Sequence, residues 1–303
     1  MNENIQEIPD VSIVIPCYNG MLTIERCLDS VKLAIEGTNT EVIMVDSSDD
    51  GTNEFVAANY AWVRLKHLPE KALPGKARNQ GVALARSRLI AFLDADCMVP
   101  AEHISNIIAS FQRHPDQSAI VGCVRNGNPG PASWVSFISE FNGFFGRQQR
   151  KPMLSLPTYC AVYKRDVFEK YEGFPEDLWP GEDAILSARL VEGKEQVFLE
   201  PGIWVYHNNR DTMPGYLTHQ YKIGYGFSVS RKLLPHLPGA DKLRKSAGSI
   251  FPMAVYRGLK MLQRTFDAGW GYGVRIIWLF PLYLRGAKQW IKGAKQGRAD
   301  HFS

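Results

Sequence analysis

Short acidic groups, each placed next to a run of apolar residues, carry the chemistry of this sequence. Leu89 to Asp96 (LIAFLDAD) ends in two carboxylates, Asp94 and Asp96, separated by one residue, so both emerge together where an apolar run stops. Oxygen ligands of this kind suit Mg2+ or Mn2+, which keep several waters and bind substrate phosphates as well. Glu182-Asp183 opens the amphipathic stretch EDAILSARLV. Acids at that place suit a helix dipole, and one of them is equally able to take a proton from a hydroxyl. Lys76, Arg78 and Asn79 follow Pro74-Gly75 at the start of another helical stretch, and a helix N-terminus with two cations is a natural anion site. Tyr18 offers a ring on which a base can stack, and Asp46 an acceptor for a ring N–H. Each feature also has a plain reading: turns are rich in Asp, Lys76 suits a solvated helix surface, and a lone His such as His207 is more often structural.

These residues need elements that bring them to one edge. Val11 to Pro16, Glu41 to Asp46, Trp62 to Lys66 and Arg88 to Asp94 read as short strands. Helical patterns lie between them, including Thr23 to Ala34 with Ile24, Cys27, Leu28 and Val31 on one face, and Lys76 to Arg86. Such alternation predicts an α/β fold with a mostly parallel sheet covered by helices. Asp46, Asp94 and Asp96 then sit at the carboxyl ends of strands, the edge at which open α/β sheets bind ligands. Beyond Pro115 the pattern is mixed: strands near Ala119 to Cys123, Leu154 to Tyr163 and Gln196 to Leu199, helices near Ser133 to Phe145 and from Glu182, and helical sequence from Met213 on.

Four segments, in this order, resemble family 2 of the inverting glycosyltransferases: VSIVIPCYN (Val11 to Asn19), VIMVDSSDDGT (Val42 to Thr52), GKARNQG (Gly75 to Gly81) running into LIAFLDAD, and Gly181-Glu182-Asp183. The resemblance implies the GT-A fold with a Rossmann-like nucleotide-binding half, a nucleotide-sugar donor, a divalent cation, and transfer with inversion. It also implies that Pro16, Tyr18 and Asn19 lie beside the nucleotide, that Asp46 bonds the base, and that Arg78 and Asn79 face the nucleotide with Lys76 nearby. Asp94 and Asp96 would serve the metal and the donor diphosphate, joined by His207. Asp183 would be the catalytic base with Glu182 in support. Arg210 and Gln220 are further candidates, and Gln220 to Gly226 (QYKIGYG), with its two glycines, is expected to form a mobile lip over the donor. One departure from the family form is that Ser47-Ser48 stand between Asp46 and Asp49-Asp50, which leaves the last two acids without an assigned role.

Charge divides the chain. Residues 1–212 hold 20 Lys and Arg against 28 Asp and Glu; residues 213–298 hold 15 against only Asp241 and Asp267. The expected organisation is a flexible segment 1–10, a catalytic domain 11–212 and a basic helical extension 213–303. An acidic first part argues against nucleic acid as a partner, whereas basic residues interleaved with Trp, Phe, Leu and Ile suit an anionic membrane surface. Ile276 to Leu284 is too short to span a bilayer, which needs ~20 residues. Arg285, Lys288, Lys292 and Lys295 follow at helical spacing; that segment either lies on lipid or packs on the domain as an ordinary helix.

Five widely spaced cysteines and a polar, acidic N-terminus point to a cytoplasmic protein, peripheral at the inner face of the membrane. The acceptor expected is a glycan or a lipid-linked molecule, in synthesis of cell-surface polysaccharide or glycolipid. Two rivals remain. A nucleotidyltransferase would carry a Gly-rich loop where Pro16-Cys17-Tyr18-Asn19 stands, and a silent binding module would not need both Asp94/Asp96 and Asp183.

Overall fold

The computed structural model describes residues 7–146, 148–235, 237 and 239–302. Its elements are β1 (Val11–Cys17), α1 (Ile24–Ala34), β2 (Thr40–Asp46), α2 (Thr52–Asn59), β3 (Val63–His67), α3 (Pro74–Leu84), β4 (Leu89–Leu93) and β5 (Cys97–Met98). There follow α4 (His103–Arg113), β6 (Ala119–Asn126), α5 (Pro131–Phe141), β7 (Lys151–Pro152), β8 (Cys160–Lys164), α6 (Asp166–Tyr171), α7 (Glu182–Glu192) and β9 (Val197–His207). The chain ends in α8 (Met213–Leu233), α9 (Ala240–Lys245), α10 (Ile250–Asp267) and α11 (Trp270–Phe302).

One mixed sheet runs β3-β2-β1-β4-β8-β6-β9-β5, with β7 paired to β9. The first four strands are parallel and read as apolar runs because helices cover both faces. β8 enters antiparallel between β4 and β6, where the sequence pattern becomes mixed. The order 3-2-1-4 reverses between β1 and β4, so a crevice opens beyond their carboxyl ends. That crevice lies between Tyr18-Asn19 and Asp94. The helix α3 can lie close on β1 because Gly81 faces Val14: a Cβ at Gly81 would come 2.2 Å from Val14 Cγ1. Close seating of α3 is what carries Arg78, on the same helix, into the interior, where it is 4% exposed.

The predicted elements recur with shifted bounds. The segment expected as a strand from Leu154 forms one only from Cys160, and the strand expected over 196–199 continues to His207, pairing with β6 through a bulge at Gly122/Cys123. Residues 1–6 of the expected flexible segment lie outside the described residues. Ile8 and Asp10 are tied down: Asn39 Nδ2 donates to Ile8 O at 3.1 Å, and Asp10 N donates to Asn39 O at 2.7 Å. All five cysteines are buried and free.

The mobile lip expected over Gln220 to Gly226 is not what the structure contains. These residues lie inside α8, a continuous helix, and the glycines permit close packing rather than movement. A Cβ at Gly224 would meet Trp290 O at 2.0 Å, and one at Gly226 would meet Pro180 O at 2.4 Å. The helix α8 is thereby clamped between α11 and the turn before Glu182. Helices from the basic part pack on α5, and Tyr216, Met261, Ile276, Leu279 and Tyr283 join the same apolar core as the sheet. No helix among the described residues is long and apolar enough to cross a membrane.

Candidate active site

At the carboxyl edge of the sheet, Arg78 binds two of the acidic groups singled out above. Its Nη2 donates to Asp94 Oδ1 at 3.0 Å and its Nη1 to Glu182 Oε1 at 2.7 Å, in pairs that leave Arg78 and Glu182 almost fully buried. Burial disfavours the guanidinium charge, but Asp94, Glu182 and Asp183 more than offset it, and the pKa stands above the ordinary value. Glu182 Oε2 accepts from Gly181 N at 3.1 Å, where Gly181 takes a φ of 123° that strongly favours glycine. Arg78 is therefore bonded to two carboxylates. Asn79 turns away from the crevice: it exchanges bonds with Phe174 (Nδ2 to O, 2.8 Å; N to Oδ1, 3.0 Å) and donates to Glu176. Lys76, one turn earlier, stays exposed.

Asp183 is half-buried beside this ion pair and accepts from Ala184 N at 2.7 Å. Burial, and then the neighbouring Glu182 charge, push its carboxyl up to about 7, against the opposing effect of Arg78. A carboxyl poised there can take up a proton near neutral pH.

Asp94 and Asp96 lie about one third exposed at the sheet edge. The turn is closed by Cys97 N donating to Asp94 O at 3.0 Å. The short strand β5 pairs Cys97 with His207, which brings His207 Nε2 to 3.5 Å from Asp96 Oδ1. Asp96, Cys97 and His207 offer ligand atoms within 4.8 Å of one another. Burial, and after it the charge of Asp96, push the Cys97 thiol up. His207 is 4% exposed and its Nδ1 has no hydrogen-bond partner. A partly exposed carboxylate, Asp96, facing one imidazole nitrogen, with Asp94 on the same turn, fits a hard or borderline divalent cation such as Mg2+ or Mn2+.

Across the crevice, Asp46 is fully buried at the end of β2 and holds Ser48 and His67. Ser48 N donates to its Oδ2 at 3.1 Å, and His67 Nδ1 lies 2.9 Å from the same oxygen. Asn19, at a φ of 54°, donates from its backbone to Ser48 Oγ at 2.8 Å. Tyr18 is 41% exposed, with Lys71 Nζ 4.2 Å above its ring, and Pro16 is half-buried behind it. Asp50 has a structural task, accepting from Met21 N at 3.2 Å and from Thr52 N at 3.2 Å, so it ties the Tyr18 turn to the start of α2.

Arg210 and Gln220 belong to a separate polar cluster between α5 and α8. Arg210 Nη1 lies 3.6 Å and His219 Nε2 3.2 Å from Glu140 Oε2, and Gln220 is buried between Glu140 and Arg257. Although burial opposes it, His219 and Arg210 hold Glu140 down to about 2. Sequence reasoning missed several neighbours. His67 pairs in register with Asp46 at the ends of β3 and β2, a signal available from strand alignment. Trp179, 37% exposed just before Glu182, carries Lys222 Nζ 4.7 Å over its ring, and only tertiary packing of α8 reveals that. A cavity of about 780 Å³, lined by Asp10, Arg88, Lys164 and Glu169 among others, opens at the opposite edge of the sheet, away from these acids.

Comparison with known proteins gives concordant matches. Residues 12–172 match the model for glycosyl transferase family 2. The succinoglycan biosynthesis protein ExoO of Rhizobium meliloti is 32% identical over 225 residues, 67% of this chain and 62% of that protein. The chain spans 54% to 63% of the length of the first curated relatives that it matches. Among solved structures, the mannosyltransferase PcManGT from Pyrobaculum calidifontis, in complex with GDP-Man and Mn2+, superposes with a TM-score of 0.59 at 18% identity, covering 98% of this chain and 88% of that one. S. aureus TarS 1-349 in complex with UDP-GlcNAc gives 0.53 at 16% identity, covering 96% and 92%. At such identities these two likenesses concern the fold.

Proposed function

The chain belongs to glycosyl transferase family 2, and from that premise we propose that it moves a sugar from a nucleotide-sugar donor to a hydroxyl acceptor with inversion, Asp183 acting as base. The observation that carries this reading is the cluster at the sheet edge: Asp183, half-buried, follows Glu182, which Arg78 bonds together with Asp94. In the reaction, the acceptor oxygen bonds to the anomeric carbon from the side opposite the leaving group. The bond from that carbon to the diphosphate oxygen breaks, and its electron pair leaves with the diphosphate. The acceptor proton passes to Asp183. Ala184 N holds the Asp183 carboxylate, and the charges of Glu182 and Arg78, after burial, set its proton affinity.

Asp94, Asp96 and His207 are the residues that would hold a divalent cation, whose contribution is to offset charge on the leaving diphosphate. Mn2+ accompanies the donor in PcManGT. Tyr18, backed by Pro16, gives the base a stacking surface, and Asn19 fixes the turn that presents it. Asp46 with Ser48 and His67 forms the polar end for the base edge. Lys71, over the Tyr18 ring, and Lys76 are exposed cations that meet the donor diphosphate. The bound nucleotides in the similar structures, GDP-Man and UDP-GlcNAc, set the donor class to test.

The acceptor is a growing glycan or a lipid-linked molecule in polysaccharide or glycolipid synthesis, in keeping with a relative named for succinoglycan biosynthesis. Catalysis resides in residues 11–212, and the basic helices that follow keep the protein peripherally at the cytoplasmic face of an anionic membrane. Hydrolysis of UDP-, GDP- and dTDP-sugars in the presence of Mn2+, measured for wild type and Asp183→Asn, tests the central reading. The expected result is that one donor class is consumed and that the variant keeps affinity for it while losing turnover. Turnover unchanged in the variant, or no donor consumed, overturns it.

A further inference from the structure

The longest helix of the protein has two unlike stripes. At 100° per residue, Ile276, Leu279, Tyr283, Trp290 and Ala294 fall on one side of α11 and are buried against α8 and the core. The opposite side begins apolar and bare: Trp270 is 76% exposed, Ile277 60% and Trp278 81%, with Val274 and Leu284 on the same stripe. From residue 285 that same stripe becomes cationic, because Arg285, Lys288, Lys292 and Lys295 fall within the angular range set by Trp270 to Leu284, and all four are exposed. No acid interrupts it before Asp300.

The neighbouring helix α10 extends the apolar half. It runs back along the start of α11, with the Phe266 and Trp270 rings 6.4 Å apart at the turn and Gly258 facing Tyr283. Phe251, Tyr256 and Leu259 on α10 are each more than 60% exposed. A monomer rarely leaves so many large apolar side chains bare on adjacent helices without a partner for them.

We propose that the α10–α11 hairpin is a two-part docking surface for an anionic lipid bilayer, its apolar half entering the interface and Arg285 to Lys295 resting among acidic headgroups. The inference deepens the peripheral-membrane reading given above and rests on it. Charge selects the occupant. A second copy covering the whole stripe would set its cations against cations or against bare apolar side chains, with no acid on the stripe to neutralise them, whereas anionic lipid neutralises all four cations. Composition agrees, since Trp and Tyr favour the boundary between acyl chains and water. A cavity of about 480 Å³ between α5 and α11, lined by Trp134, Val274, Arg275 and Trp278, opens at this surface. At the other end of that wall, Asn128 bonds Asn209 two residues after His207. The loop leading into the α5 wall of this cavity is thus bonded to the strand end that carries His207, which suits an acceptor that is itself held in the membrane.

The test is sedimentation of the full chain with vesicles of phosphatidylcholine, with and without phosphatidylglycerol, at low and high salt. Wild type is expected to bind only the acidic vesicles and to release in salt. Trp270→Ser/Ile277→Ser/Trp278→Ser should lower partitioning roughly 10-fold or more through loss of apolar contact. Arg285→Gln/Lys288→Gln/Lys292→Gln/Lys295→Gln should lower it roughly 100-fold or more and abolish the salt response. All seven positions are on the surface, and a thermal melt checks that each variant folds. No vesicle binding by the wild type, or equal binding by both variants, overturns the proposal. So does a wild-type dimer in light scattering that the triple variant converts to monomer, which assigns the face to a second copy. Donor hydrolysis in solution is read alongside: both variants should retain it, and its absence from every form of the protein with vesicle binding intact counts against the glycosyl-transfer reading instead.

Discussion

Replacing Asp183 by Asn separates its chemical task from its cost to stability. Burial and the Glu182 charge raise the Asp183 carboxyl to about 7, well above the value near 3.9 of an unfolded chain. Between those values the folded protein binds more protons at this residue than the unfolded one, so its contribution to stability falls as pH rises and levels off above about 7. The Asn side chain carries no such penalty. At about 1.36 kcal/mol per pH unit over the roughly two units from pH 5 to 7, the stability of the variant relative to wild type should grow by on the order of 2 to 3 kcal/mol between pH 5 and pH 8. For a chain of this length that corresponds to about 5 °C in Tm. Transfer should move the other way, falling roughly 100-fold or more with loss of a general base, while donor affinity is kept. Thermal melts at the two pH values and single-turnover transfer rates measure both effects. A stability difference that does not grow with pH would refute the electrostatic reasoning, and transfer that survives would place the base elsewhere.

Asp96→Ala should abolish donor turnover and metal-dependent nucleotide binding with little change in Tm, because the side chain lies at an exposed edge; turnover persisting in EDTA would refute the cation assignment. Arg78→Met should destabilise the fold by about 3 to 5 kcal/mol, the scale for stranding one partner of a buried ion pair, since Glu182 and Asp94 lose their shared cation; a urea titration reads this directly. Gly224→Ala should cost about 1 to 3 kcal/mol by overpacking against Trp290, and should separate α8 from α11 without altering donor binding, checked by melts and by titration with the nucleotide. Glu140, held down to about 2 mainly by His219 and Arg210 once burial is overcome, contributes stability present above its unfolded pKa and lost as pH falls from about 4.5 toward 2. Glu140→Gln should remove that part of the acid sensitivity.

The parallel half of the fold was legible because its strands carry their own punctuation. Ile13 to Ile15 and Val42 to Val45 are buried on both faces, so they read as unbroken apolar runs, and the helix between them shows one apolar face. The later strands gave weaker signals for a physical reason. Leu154 to Tyr163 looked like one strand, yet only Cys160 onward has partners in β4 and β6, and pairing is a nonlocal fact. The segment Gln220 to Gly226 failed in the opposite direction. Two glycines near aromatic residues promise a mobile turn when only local flexibility is weighed, but in α8 their missing side chains admit the backbone of α11 and the Trp179-Pro180 turn. Close approach and conformational freedom use the same residue, and sequence alone does not separate them.

The site divides along the same line. Strand ends placed Asp46, Asp94 and Asp96 at one edge without knowledge of any contact, because strand direction alone decides which end of a run faces the crevice. Arg78 and Asn79 were read from their position at a helix start, which holds for a helix whose first turn faces solvent. Here Gly81 lets α3 sink onto Val14, and Arg78, three residues earlier, meets acids from β4 and α7 before it meets any ligand. A buried guanidinium flanked by Asp94, Glu182 and Asp183 cannot be offered freely to a phosphate, since leaving those carboxylates unpaired costs several kcal/mol. Lys71 and Lys76, by contrast, remain exposed at the crevice rim and could be offered to an anion without that cost. Arg78 instead links Asp94 to the Glu182-Asp183 pair: it bonds Asp94 and Glu182, and its charge acts on Asp183 together with that of Asp94.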